Sequence, residues 1–253
     1  ARLCAPSMER ASRTAIVTGG ARRIGAALAR ALAEDGWHVL VHYNRSHDEA
    51  EALAAEIGGS TVQAELADPR AATTIIRALD GLPPPGLLVN NASRFVLDSA
   101  SDFTSEGWNA HLDVNLRAPA LLSQGFAARA DEGLIVNLLD AKLAAPNPDF
   151  FSYTLSKMGL AGLTELTARA FAPAIRVCGI APSVTLVSGP QSRANFEEVH
   201  DLNALGRGVD VAEIVAALRF IIATPTLTGQ TITLDGGQRF LSLPRDVQFL
   251  ERE

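Results

Sequence analysis

The sequence predicts an α/β fold: a single domain built on a doubly wound parallel sheet of about seven strands, with helices on both faces. Short, almost continuous apolar runs alternate with longer stretches of helical periodicity. Continuous apolar runs are typical of strands covered on both faces, and the alternation predicts parallel strands joined by right-handed crossovers. No internal repeat or linker divides the 253 residues, so we expect one domain.

Seven strands are predicted, at Ala15–Thr18, Val39–His42, Thr61–Ala64, Leu87–Asn90, Leu134–Leu138, Ile175–Ile180 and Thr231–Leu234. Six helices are predicted, at Ile24–Glu34, Asp48–Ile57, Ala71–Leu79, Leu116–Ala130, Tyr153–Phe171 and Val211–Ile222. In the first helix Ile24, Leu28 and Leu32 share one apolar stripe, which indicates a face packed on the sheet.

Two segments depart from this alternation. Residues 1–11 lack the apolar core of a secretory signal and are predicted to be a disordered extension before a domain at 12–253. Residues 183–208 are long and polar, and are predicted to be a substrate loop that forms a lid over the active site. Within it, Leu186, Phe196 and His200 are candidates for lining the pocket.

Composition excludes several classes of function. The formal net charge of −6 disfavours a nucleic-acid or anionic-membrane surface, and no apolar run approaches the length of a membrane span. Only Cys4 and Cys178 occur, so reduced thiols and a cytoplasmic location are expected. The five histidines show no metal-ligand spacing, and no metal is predicted.

A glycine-rich turn, Thr18–Gly25, follows the first strand and opens the first helix. Such a turn lets the backbone approach a pyrophosphate, which then lies at the positive end of the helix. The turn alone is equally consistent with a purely structural role. Its position after an N-terminal strand, with a second strand about 20 residues on, favours a Rossmann-like dinucleotide site.

The end of the second strand indicates which dinucleotide binds. An NAD site usually places an acidic residue here, and the run His42–Ser46 has none. Arg45 and Ser46 instead offer a charged fork and a hydroxyl suited to a 2′-phosphate, with Arg23 adding charge. We therefore predict NADPH/NADP+, while Arg45 as a solvated loop residue is the alternative.

Tyr153 and Lys157 lie four residues apart, on one face of a predicted helix. Lowering a phenol pKa from about 10 towards neutrality requires roughly 4 kcal/mol, which one cation about 4 Å away supplies. Lys157 is therefore expected to make Tyr153 a usable proton donor.

With the glycine turn, Asn90–Ser93, Asn115 and Tyr153…Lys157 in this order, the chain resembles the short-chain dehydrogenase/reductase family over about residues 12–240. The resemblance implies that Tyr153 is the general acid, that Lys157 binds the nicotinamide ribose and that Asn115 holds a proton-relay water. It also implies a homotetramer, with the helices at 116–130 and 153–171 in an interface.

Departures from the family pattern narrow the resemblance. Asp140 stands where the family usually has a catalytic Ser, and Arg23 replaces the middle glycine of the turn. With Ser93 and Phe95, these residues resemble the pteridine reductase branch, in which the pterin stacks between nicotinamide and an aromatic ring. Reducing a pterin C=N bond needs a proton at ring nitrogen, which Asp140 can relay with Tyr153. The alternative keeps Phe95 as core and Asp140 as a strand-end residue.

The sequence does not predict the geometry of the loop after the sixth strand, because Ser183 and Cys178 replace the Gly and Asn that are usual in the family. The predicted cofactor-binding residues are Gly19, Arg22, Arg23, Ile24, Gly25, His42, Asn44, Arg45, Ser46, Glu65, Leu66, Asn91, Ala92, Ser93, Lys157, Pro182 and Val184. The predicted catalytic residues are Tyr153, Lys157, Asp140 and Asn115, and the predicted substrate contacts are Arg23, Ser93, Phe95, Asp140 and Tyr153.

Three functions are compatible with these residues. The first is an NADPH-dependent reductase of a dihydropterin, dihydrofolate or oxidised pterin. The second is a reductase of another small ketone or quinone, in which Asp140 is incidental. The third is a catalytically silent NADP(H) sensor, which the intact Tyr153, Lys157 and Asn115 disfavour.

Overall fold

A computed structural model describes residues 13–188 and 191–250. Its seven strands are β1 (Thr14–Val17), β2 (His38–Tyr43), β3 (Ser60–Gln63), β4 (Pro85–Asn90), β5 (Gly133–Leu138), β6 (Ile175–Pro182) and β7 (Thr231–Leu234). They form one parallel sheet in the order β3-β2-β1-β4-β5-β6-β7. The predicted fold class is confirmed, and every strand ends within two residues of its prediction. The predicted extension at 1–11 lies outside the described residues.

The helices are α1 (Arg23–Glu34), α2 (His47–Ile57), α3 (Ala71–Arg77), α4 (Ser105–Leu112), α5 (Ala118–Ala127), α6 (Phe151–Phe171), α7 (Arg193–Val199) and α8 (Val211–Ala223). Alternate strand residues face opposite sides of the sheet. Val17 and Leu87 pack in one core with α1 and α8. Ile16 and Leu88 pack in a second core with α3 and α5.

Two helices were absent from the sequence prediction. Helix α4 buries only His111, so it shows no apolar stripe, and Thr104 caps it by accepting the Gly107 N–H at 3.1 Å. A π-helical turn, Asp113–Arg117, joins α4 to α5, so the helix predicted from Leu116 continues a longer one. Helix α7 lies inside 183–208, so part of the predicted substrate loop is helical, and its role as a lid stays a prediction.

The chain reverses its strand order at β1, which lies between β2 and β4. The crossovers leaving β1 and β4 therefore depart towards opposite faces, and a crevice opens at the carboxyl ends of these strands. Ligands of doubly wound sheets bind at such a position. The fold thus brings together residues 18–25, 91–95 and 139–140, which follow β1, β4 and β5.

Candidate active site

A cleft of about 840 Å³ runs along the carboxyl ends of the strands, from the glycine-rich turn to the C-terminal segment. It is lined by every residue predicted to bind cofactor or substrate: Gly19, Arg22, Arg23, Ile24, Gly25, His42, Asn44, Arg45, Ser46, Glu65, Leu66, Asn91, Ala92, Ser93, Phe95, Asp140, Tyr153, Lys157, Pro182 and Val184. Leu186 lines it as well. Phe196 and His200 are not among its lining residues, and their rings stack on each other with 4.4 Å between centroids.

The glycine-rich turn is packed too closely for side chains. A Cβ on Gly25 would lie 2.2 Å from the carbonyl oxygen of Gly19 and 2.7 Å from Nδ2 of Asn91. Helix α1 starts here with no side-chain cap and no acidic residue in its first turn. Its free N–H groups and positive dipole end therefore face the cleft, as a pyrophosphate group requires.

The side chain of His42 holds this turn in place through hydrogen bonds. Its Nδ1 accepts the Gly19 N–H at 3.1 Å, and its Nε2 bonds to the carbonyl oxygen of Ala64 at 3.0 Å. Burial lowers the pKa of His42 to about 4, so the ring is neutral. Both ring nitrogens are occupied, so His42 shapes the dinucleotide site rather than offering a polar atom to a ligand.

Two arginines at the outer end of the cleft differ in their pairing. Arg22 lies 3.4 Å from the carboxylate of Glu49, whereas Arg45 is exposed and forms no ion pair with any residue of the described ranges. Ser46 lies beside Arg45 and also lines the cleft. An uncompensated guanidinium next to a hydroxyl fits a phosphate group.

The predicted catalytic pair lies in the middle of the cleft. The Tyr153 hydroxyl donates to Oδ2 of Asp140 at 2.7 Å. Lys157, one turn further along α6, donates from Nζ to the carbonyl oxygen of Leu138 at 2.6 Å and lies 5.8 Å from the centre of the Tyr153 ring. Asp140 is held in turn by the Lys142 N–H, which donates to its Oδ1 at 2.8 Å.

The pKa values of Tyr153 and Lys157 in the structure differ from those expected from the sequence. Burial raises the pKa of Tyr153 well above its usual value, and the charge and hydrogen bond of Asp140 act in the same direction. Burial lowers the pKa of Lys157 to about 8, against the effect of Asp140. The Tyr153 pKa therefore moves opposite to the direction expected from Lys157, chiefly because the hydroxyl is buried and secondly because the Asp140 carboxylate contacts it; the catalytic role of Lys157 stays a prediction.

Asn115 is the predicted site residue that does not line the cleft. It lies buried behind the wall, in the π-helical turn, where its Oδ1 accepts the Arg94 N–H at 2.8 Å and its Nδ2 donates to the Arg94 carbonyl at 2.9 Å. Its Nδ2 also reaches Oγ of Ser156 at 2.9 Å. These bonds hold the 93–95 segment against α6, and the proton-relay water remains a prediction.

Phe95 is half-buried at the cleft wall, between two aromatic rings. The Phe150 ring stacks on it with 4.1 Å between centroids, and Tyr153 meets it edge to face at 4.7 Å. Because Phe150 covers one face, Phe95 meets the cleft through its remaining surface. A flat heterocycle beside Tyr153 would therefore contact a preformed aromatic wall.

Arg23 bridges the two sides of the cleft. It adopts a left-handed backbone with φ of 55°, which a side chain rarely adopts, at the position of the family's glycine. Its Nη1 donates to the carbonyl of Val187 at 2.7 Å, and its Nη2 to Oγ of Ser188 at 3.3 Å. The guanidinium thereby joins the glycine-rich turn to the start of the predicted substrate loop.

The sequence analysis missed several polar residues that line the cleft, among them Lys142, Asn147, Gln191, Asp246 and Gln248. No local pattern marks them, because they lie on short turns far apart in the chain. The described residues contain no cluster of three or more His, Cys, Asp or Glu able to hold a metal ion. None of the helices described is long and apolar enough to cross a membrane.

Comparison with known proteins assigns the family. Residues 13–198 match the family described as short chain dehydrogenase. The L-xylulose reductase of Mesocricetus auratus is 33% identical over 241 residues, covering 90% of this chain and 96% of its own. A 3-oxoacyl-[acyl-carrier-protein] reductase of Synechocystis is 30% identical over 239 residues, covering 89% and 96%.

Among solved structures, FolM alternative dihydrofolate reductase 1 of Brucella suis, in complex with NADP, is 39% identical. It superposes with a TM-score of 0.88 and covers 91% of this chain and 96% of its own. The Tyr153–Lys157 pair and the glycine-rich turn occupy one cleft of the matching fold. The chain belongs to the short-chain dehydrogenase family and is an oxidoreductase.

Proposed function

We propose that this oxidoreductase uses NADPH to reduce a pterin-type C=N bond, in a dihydropterin, dihydrofolate or oxidised pterin. The observation that carries the proposal is the 2.7 Å hydrogen bond from Tyr153 to Asp140. The ionised Asp140 carboxylate accepts this bond, and once it has taken up a proton from solvent it can pass that proton, together with Tyr153, to a basic ring nitrogen. The similarity to the Brucella FolM protein supports the same substrate class.

The residues of the cleft fit NADPH. The uncapped start of α1 suits the pyrophosphate, and Arg45 with Ser46 suits the 2′-phosphate. Lys157 lies deep in the cleft beside Tyr153, where it would bind the nicotinamide ribose. When bound, NADPH supplies the hydride.

The chain's own residues then handle the proton. With its raised pKa, the Tyr153 phenol alone is a weak acid. We therefore assign the proton that reaches ring nitrogen to the hydrogen-bonded Tyr153–Asp140 pair, which regains one from solvent through the open cleft. Lys157 holds positive charge beside the pair as the proton leaves.

Steady-state NADPH oxidation with a panel of pterins and ketones tests the proposal. Turnover of at least one pterin is expected, and Asp140→Ser should lose pterin turnover while retaining NADPH binding. Turnover of ketones but of no pterin would reject it.

Reduction of a small ketone is the second candidate. Its specific support is the similarity to the Mesocricetus xylulose reductase and the Synechocystis oxoacyl reductase, each matched over most of both chains. Asp140 disfavours it, since the carboxylate occupies the hydrogen-bonding position on Tyr153 that a ketone oxygen would need. Gain of ketone turnover in Asp140→Ser would fit this chemistry.

A further inference from the structure

The C-terminal segment Leu243–Leu250 closes the far end of the cleft beyond Tyr153. Leu243, Asp246, Val247 and Gln248 all line the cavity. The segment comes after the last strand, so it is not part of the sheet scaffold. Asp246 lies 3.5 Å from Nζ of Lys142, whose backbone N–H bonds to Asp140, so the segment borders the Tyr153–Asp140 end of the cleft.

This segment is firmly anchored. Arg245 makes a two-point ion pair with buried Asp149, at 3.1 and 2.8 Å, and the Asp246 N–H donates to the same carboxylate at 2.8 Å. Phe249 stacks on Phe150 with 5.9 Å between centroids. Phe150 also stacks on Phe95, so the segment and the aromatic wall form one packed unit that is preorganised for a ligand.

Three buried side-chain oxygens around this end have no hydrogen-bond partner among the described residues: Oδ1 of Asn147, Oε1 of Gln191 and Oε1 of Gln248. Gln191 is only 9% exposed, and its Nε2 is used in a 2.9 Å bond to Asn195, which leaves Oε1 as the free atom. Asn195 also bonds to the Gln248 backbone at 3.4 Å, so Gln191 and Gln248 are neighbours. A buried acceptor without a donor is unfavourable, so these oxygens are expected to gain a donor when the side chains adjust around a bound ligand.

Carboxylates add to the acceptor character of this end. Asp140 lies on one side, and Asp246 lies on the other, 3.5 Å from Nζ of Lys142. Burial raises the pKa of Asp246, and Lys142 opposes that effect. Lys142 is itself engaged, because its Nζ donates to the carbonyl of Asp149 at 2.5 Å.

We propose that Asp246 and Gln248, with Gln191 beside Gln248, form an acceptor wall that selects heterocycles carrying an exocyclic amino group and ring N–H donors. This inference rests on the proposed function for the orientation of the ring in the cleft. An exocyclic amino group on the ring donates hydrogen bonds to the free oxygens. A carbonyl group at the same position would instead place its oxygen, an acceptor, against the acceptor oxygens of the wall. Polar sites of this kind discriminate strongly against analogues that lack the matching group.

Binding of two pteridines to the NADP+-loaded enzyme tests the wall by calorimetry. The probes are 2-amino-4-oxopteridine and 2,4-dioxopteridine, which differ in the exocyclic group. The wild type should prefer the amino compound. Gln248→Met should reduce that preference about tenfold, which corresponds to the loss of one hydrogen bond. The side-chain amide that it removes makes no hydrogen bond within the described chain.

Asp246→Asn should reduce the preference similarly, because an amide mixes donor with acceptor. Gln248→Glu keeps acceptor oxygens and should retain it. Gln230→Met, at an exposed residue just before β7, is the matched control and should behave as wild type. All variants should keep wild-type affinity for NADP+, and the Gln248 variants and the control should keep wild-type unfolding midpoints, whereas Asp246→Asn loses the ion pair with Lys142 and should unfold more easily.

The outcomes separate this inference from the proposed function. An amino preference that survives both Gln248→Met and Asp246→Asn overturns the wall, even if pterins are reduced. A preference that falls as expected supports the wall, even if no pterin is turned over. Binding of neither pteridine by the wild type overturns the wall, whatever the activity assay gives.

Discussion

The backbone N–H of Gly19 donates to Nδ1 of His42 at 3.1 Å, so a neutral imidazole holds the glycine-rich turn in place. Protonation of Nδ1 would remove this acceptor. Because burial lowers the pKa of His42 to about 4, its charged form is excluded from the folded protein above that pH.

Folding stability should therefore depend on pH through His42. The folded pKa lies below the unfolded value of about 6.5, so this contribution is complete above pH 6.5 and is lost as pH falls towards 4. The two values correspond to a loss of about 3 kcal/mol. Urea unfolding of wild type and His42→Asn between pH 7.5 and 4.5, a range of about three pH units, measures the difference. Equal pH dependence in the two proteins would contradict the assignment.

Tyr153→Phe should abolish reduction while leaving NADPH binding intact. The substitution removes the hydroxyl that donates to Asp140 and keeps the ring that packs edge to face on Phe95. Loss of a positioned proton donor typically lowers kcat by about 10²–10⁴-fold. Single-turnover rates and NADPH fluorescence titration measure the two effects, and near-wild-type activity would refute the acid assignment.

Arg45→Ala should weaken NADPH binding much more than NADH binding. Its exposed guanidinium has no carboxylate partner within the described residues, so its charge is free for a 2′-phosphate. A charge-assisted hydrogen bond of about 1.5–3 kcal/mol corresponds to a loss of roughly 10–100-fold. Arg30→Ala, which removes an arginine paired with Glu56 outside the cleft, is the control. Equal losses for both cofactors would disprove the 2′-phosphate assignment.

Gly25→Ala should abolish NADPH binding and destabilise the protein. The added methyl would lie 2.2 Å from the Gly19 carbonyl oxygen, so the turn must shift. Gly162→Ala, in α6, meets nothing within 4 Å in the single chain and should leave NADPH binding unchanged. Thermal unfolding and dinucleotide titration compare the two; tight NADPH binding by Gly25→Ala would contradict the packing argument.

A homotetramer is expected from the family resemblance, with α6 in an interface. Leu166 on α6 is 67% exposed and Met158 is 39% exposed, which gives this helix an apolar outer face. Light scattering should give a mass of about four times 26.7 kDa. Leu166→Glu should lower the mass and Ala55→Glu, on the exposed face of α2, should not. A wild-type monomer would refute the expectation.

The sequence alone determined the sheet, the glycine-rich turn and the Tyr153–Lys157 spacing. Each is a local pattern, because consecutive apolar residues predict a buried strand and residues four apart lie on the same face of a helix. Helix α4 escaped prediction because it buries almost nothing and so carries no stripe. The presence of Asp140 at the site was also visible, as a departure from the family pattern thirteen residues before Tyr153.

Only the tertiary structure decided what these residues do to one another. The contact between Asp140 and Tyr153 joins a turn after β5 to α6, and together with the burial of Tyr153 it raises the pKa of that residue. The approach of Asp246 and Gln248 to the cleft depends on Arg245 pairing with Asp149, 96 positions earlier in the chain. Electrostatic and hydrogen-bond energies depend on distance in space, which sequence separation does not encode.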